Sequence, residues 1–131
     1  MSFVELDPFD LPEWLGDGPV AWATDMGLVG HLVAGRLTGG VPDRVLPCDL
    51  LAADQAYPTP VLDEPTRIRV HQTWRHGQVL LLTQDDRPAV AVPGIEWPPE
   101  LVLEALTRLA RSVGADPATW SAQLALNWRQ R

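Results

Sequence analysis

The sequence predicts an α+β domain, an antiparallel sheet of about five strands packed against two or three helices. Three observations predict it. Short apolar runs bounded by glycine, proline and aspartate fill residues 19–54 and 78–93. From Pro98 onward the apolar period lengthens to that of a helix. The order of strands, helix, hairpin, then helices suits a sheet covered on one face.

Residues 1–18 read as an arm. Phe3, Val4, Leu6, Phe9, Leu11, Trp14 and Leu15 alternate irregularly with acids, too many apolar residues for a free tail. Asp10, Pro12 and Gly16 are placed to cap, start and end one short helical turn. The arm is expected to pack on the rest of a single domain spanning 1–131.

Pro19–Thr24 is a strand, and Leu28–Thr38 is a second, whose Gly30 and Gly35 point to a bulge or bend. Asp25-Met26-Gly27 supplies the connection. After Gly39-Gly40, Arg44–Asp54 makes a third strand, with Pro47 marking an edge position or bulge. The proline-rich stretch 58–65 is too short to separate domains.

Residues 66–76 carry two conflicting signals. Arg67-Ile68-Arg69-Val70-His71 nearly alternates, as in a strand. The flanks are helical: Asp63, Glu64 and Pro65 suit a start, and Arg75, His76 and Gly77 suit a stop. The flanks decide for a helix. Gln78–Thr83 and Pro88–Pro93 then pair as a hairpin around a polar turn at 84–87.

The clearest element begins at Pro98-Pro99, residues tolerated only at a helix start. Val102, Leu106, Leu109 and Val113 form its stripe, widened by Leu103, Ala105 and Ala110, and Gly114 is its C-terminal cap. Asp116 and Pro117 read as the start of a last helix, with Trp120, Leu124 and Trp128 four residues apart on one face.

Composition narrows the function. The formal charge is −7, from 17 acidic and 10 basic residues, every basic one an arginine. That arginine bias, with abundant Ala, Gly, Pro and Leu, suggests a GC-rich bacterial genome. An acidic chain is a poor match for nucleic acid or anionic membranes. No apolar run approaches the ~18 residues of a membrane span, and the N-terminus lacks a signal-peptide pattern, so the expected compartment is the cytoplasm.

Candidate chemistry is sparse. The single cysteine, Cys48, excludes an internal disulfide and reads as a small buried residue. His71 and His76 are five apart and diverge, and His31 is distant, so no metal or cofactor is expected. Ser2, Ser112 and Ser121 lie in no nucleophile context, and Asp85-Asp86 is turn chemistry. No glycine loop precedes a lysine or helix start as phosphate binding requires.

What stands out is tryptophan, with 6 in the chain, each either core or interface anchor. The expected function is therefore a non-catalytic protein-binding or adaptor domain. Its candidate binding residues are Trp120, Leu124, Trp128 and Arg129 near the C-terminus, where a protein partner or a second copy meets an apolar stripe. The basic cluster of Arg67, His71 and Arg75 joins them, as a patch lying under the acidic arm or awaiting an acidic partner. Two alternatives stay open: a small-molecule binder or small enzyme with a pocket lined by Trp74, His71, Arg75 and His31, and a structural homo-oligomer.

Overall fold

The computed structural model describes residues 2–16, 20–24, 32–40, 44–54, 61–114 and, for the backbone alone, 124–126. Mixed α and β content is present, but the expected single antiparallel sheet is replaced by two sheets. Each contains one parallel pairing.

The first sheet has five strands: β1 (Val4–Glu5), β7 (Leu80–Gln84), β8 (Arg87–Pro93), β6 (Asp49–Ala53) and β3 (Leu32–Val33), in that spatial order. The second has four: β5 (Arg44–Pro47), β4 (Arg36–Gly39), β2 (Val20–Thr24) and β9 (Leu124–Leu126). Parallel pairing of β6 with β8 follows from the connection between them. Chain leaving β6 crosses one face as helix α1 (Glu64–Arg75) and returns as β7, and a hairpin inserts β8 beside β6. Asp85 and Asp86 both take positive φ, 51° and 62°, which matches the right-handed twist of a two-residue hairpin loop.

The two stretches expected as single long strands, 28–38 and 44–54, each divide between the sheets. The reason is a bend in one antiparallel ribbon. Leu32 pairs with Leu51 and Val33 with Leu50 in the first sheet, then Arg36 with Pro47 and Leu37 with Leu46 in the second. The register is the same on both sides, so no residue is inserted: the ribbon bends without a bulge. At the bend, the Cys48 amide donates to the Gly35 carbonyl at 3.0 Å. A side chain at Gly35 would meet the Trp22 ring at 2.5 Å, so only glycine fits. Trp22 fills the inside of the corner, and its Nε1 donates to the Cys48 carbonyl at 3.2 Å.

Alternation along the five-stranded sheet sorts its side chains into two cores. Leu50, Ala52, Leu81, Val90 and Val92 pack with Trp22, Leu37 and Trp97, under helix α2 (Pro99–Ser112). Leu51, Ala53, Leu80, Leu82, Ala89 and Ala91 face the opposite way, toward Val70 of α1. Helix α2 buries Val102, Ala105, Leu106, Leu109 and Ala110, but Leu103 faces water instead of widening the stripe. Trp97, just before the two prolines, is buried.

The N-terminal arm is held at both ends. Val4 and Glu5 pair with Thr83 and Leu82. Trp14 and Leu15 are buried in the main core. Between them, Asp7 caps a single 3₁₀ turn, accepting from the Phe9 amide at 2.9 Å.

The expected C-terminal helix is overturned at its centre. Leu124–Leu126 form β9, parallel to β2, with Leu124 opposite Trp22. Beta pairing along the open side of β2 outweighs the four-residue spacing that suggested a helix. Trp120, Trp128 and Arg129 lie outside the described residues. No helix among the described residues is long and apolar enough to cross a membrane.

Candidate binding site

The ribbon bend opens a cleft of about 340 Å³ on the outer side of the fold. Ala23 and Thr24 from β2, Ala34 and Gly35 at the bend, Arg36 from β4, Val45 and Pro47 from β5, and Arg87 from β8 line it. The walls are mostly small or apolar, and the charged side chains lining it are both arginines.

A buried carboxylate fixes one of them. Asp49 opens β6, whose other residues are all apolar, and it is buried. Arg87 grips it bidentately: Nη2 donates to Oδ1 at 2.6 Å and Nε to Oδ2 at 3.1 Å. The Gly35 amide donates to the same carboxylate at 3.3 Å, and Arg87 Nη2 also reaches the Gly35 carbonyl at 3.2 Å. Hydrogen bonding to Asp49 raises the pKa of the Arg87 guanidinium, which stays charged. The clasp ties the five-stranded sheet to the bend while leaving the Arg87 side chain 40% exposed at the cleft. Thr24 closes the inner wall through a hydrogen bond from its hydroxyl to the Ala34 carbonyl.

Cys48 lies beside this clasp and is buried. Burial, reinforced by the negative charge of Asp49, pushes its thiol from 9.0 up to about 12. The thiolate that attacks or binds metal is therefore absent near neutral pH. Among the described residues, no three His, Cys, Asp or Glu side chains are grouped to hold a metal ion.

The basic residues of α1 each have their own surroundings. Arg67, His71 and Arg75 stand in one row, four residues apart. Arg67 is largely covered and pairs with Glu64, while its Nε is buried with no hydrogen-bond partner. His71 Nε2 lies 3.2 Å from the Ala53 carbonyl, so that nitrogen carries the proton and donates. Arg75 is exposed. Neighbouring Arg69 makes a bidentate pair with Glu5 of the arm, so one acid of the arm does cross this helix. Trp74 stacks under Arg108 of α2, 3.5 Å from guanidinium carbon to ring centroid, and none of Trp74, His71 or Arg75 lines the cleft. His31 lies outside the described residues.

Sequence reasoning missed Thr24, Arg36, Asp49 and Arg87. One signal was available: Asp49 and Arg87 are opposite charges, each beginning a strand that is otherwise apolar. Charges at such positions stay buried only when paired.

A second feature is a side chain rather than a hollow. Phe9 is 93% exposed, on the capped turn of the arm. Asp7 and Asp10 flank it in the sequence, and the first 25 residues hold six acids and no basic residue. Single exposed apolar residues are ordinary. Phe9 is the most exposed large apolar side chain among the described residues, on an arm held at both ends.

Together these define a two-sheet α+β domain with a bent ribbon, an arginine-lined cleft and a projecting aromatic. No family model, curated protein or solved structure matches the chain.

Proposed function

We propose that this chain is a non-catalytic protein-binding domain, with Phe9 at its point of contact. The observation that carries the reading is the 93% exposure of Phe9 on a turn whose backbone is already fixed by the Asp7 cap. A capped backbone lowers the entropy lost on binding relative to a free tail, leaving the ring's own rotamers to be ordered. The flanking acids select an apolar socket rimmed with basic groups. The buried thiol of Cys48, held protonated, and the placing of Asp85 and Asp86 in a hairpin turn support the non-catalytic reading.

The test compares the tagged protein with its Phe9→Ala variant by quantitative pull-down and mass spectrometry. A hot-spot aromatic contributes at least about 2 kcal/mol, roughly 30-fold in affinity. Specific partners should be lost from the variant while its thermal midpoint is unchanged. Retention of the same partners at the same yield would sink the proposal.

A further inference from the structure

We propose that residues 2–6 form a strap that opens and recloses over the outer edge of β7 while the rest of the domain stays folded. The ion pair between Glu5 and Arg69 is its latch.

Little apolar area holds the strap down. β1 lies at the end of the five-stranded sheet and contributes only Val4 and Glu5, both exposed. Phe3 and Leu6 are half-buried and lean on different cores, Phe3 on the one facing α1 and Leu6 on the one facing α2. From Ser2 to Glu13 no residue is fully buried. Trp14 and Leu15 are the first that are, so the arm stays moored there when the strap lifts. Segments with few buried contacts open at a lower free-energy cost than the whole domain. Without β1, strands β7, β8, β6 and β3 still form a four-stranded sheet with a core on each face, enough to persist.

The strap covers a particular row of backbone groups. Val4 lies opposite Thr83, and the Leu6 amide donates to the Leu81 carbonyl at 2.8 Å. Backbone groups alternate sides along a strand, so Leu81 and Thr83 face the strap while Leu80 and Leu82 face β8. Thr83 fits this alternation, because opposite it on β8 stands Pro88, which has no N–H to give. Lifting the strap bares the edge of β7, a row on which a further strand could pair.

The latch joins the strap to a different element from the one it covers. Arg69 projects from α1 and donates through Nη1 and Nη2 to the Glu5 carboxylate. The two side chains are 52% and 49% exposed, so dissolved ions screen the pair. The closed state is therefore favoured at low salt and weakened at high salt.

Amide hydrogen exchange resolved by residue tests both parts. The Leu81 and Thr83 amides should be protected at least about 10-fold less than those of Leu51 and Val92 in the central pairing of β6 with β8. Their exchange should respond weakly to low denaturant, because a local opening exposes little surface. Arg69→Ala should speed exchange at Leu6, Leu81 and Thr83 by about 1.5–5-fold, the range for an exposed pair. That gap from wild type should close in about 1 M salt.

If Leu81 and Thr83 exchange as slowly as Leu51 and Val92, with the same denaturant dependence, the edge is bared only by global unfolding and the strap is overturned. If the strap-side amides open locally but Arg69→Ala leaves their rates unchanged, the pair survives opening and its role as latch is overturned.

Discussion

Helices α1 and α2 press on opposite faces of the same five-stranded sheet, and they are held there by different physics. α2 buries Val102, Ala105, Leu106, Leu109 and Ala110, a continuous apolar stripe. α1 buries only Val70, leaves Ile68 in water, and is fastened by polar ties at its margins. Arg69 grips Glu5, His71 donates to the Ala53 carbonyl, and Trp74 sits under Arg108. One helix is positioned by area, the other by a few directed contacts. Area is lost gradually and non-directionally. A directed contact is lost whole when one partner changes, and its worth depends on exposure and salt.

The contrast breaks most visibly at Leu106. Leu106→Ala should destabilise by about 2–5 kcal/mol in chemical denaturation, as for other buried leucines. A cost below roughly 0.5 kcal/mol would mean that α2 does not depend on its stripe.

Cys48 reports on the same core by its chemistry. Burial pushes its thiol from 9.0 up to about 12. At pH 8 the native thiolate fraction is then lower by roughly 1000-fold, a factor of ten per unit. Thiol labelling of the native protein should be slower than in denaturant by about that factor. Because the folded value is raised, the associated stability is fully present below pH 9 and lost as pH rises toward about 12. Native and denatured rates that agree at pH 8 would place Cys48 outside the core.

On the α1 face the expected effects shrink. Val70→Ala removes two buried carbons and should cost about 1.5–2 kcal/mol at roughly 0.8 per carbon. Arg108→Ala removes both the stacking on Trp74 and the donor to its carbonyl. A cost of about 0.5–2 kcal/mol is expected, with Arg108→Lys recovering only part of it. The smallest effect belongs to Arg69→Ala. Its pair with Glu5 is about half exposed on both sides, so about 0.2–1 kcal/mol is expected, vanishing in high salt. A Val70→Ala cost as large as that at Leu106 would erase the distinction between the two helices.

The same contrast governs what could be read from the sequence. The stripe, proline start and glycine cap of α2 were legible, because area-driven packing writes its period into the chain. α1 was legible only at its ends, since its interior serves scattered polar ties and nearly alternates. The candidate site was less legible still. Gly35 points to a bend or bulge, but nothing local says that Trp22 lies across it. Asp49 and Arg87 are 38 residues apart and become a pair only when β6 and β8 lie side by side. The C-terminal segment misled for the same reason: Leu124 suits a helix by spacing, and pairing with β2 is a nonlocal contact.

The sequence by itself determined the mixed α+β content, both described helices, the 84–87 hairpin and the charge imbalance that leaves the arm wholly acidic. These follow from local terms: side-chain period, backbone limits of proline and glycine, and charge count. Tertiary structure alone decided that two long strands would be shared between two sheets, that the strand pairings would be mixed, and that Arg87 would clasp Asp49 beside an open cleft. An alternating strand looks the same whichever sheet it joins. The choice is made by distant backbone partners and by the burial of Trp22, whose energies no local window of sequence contains.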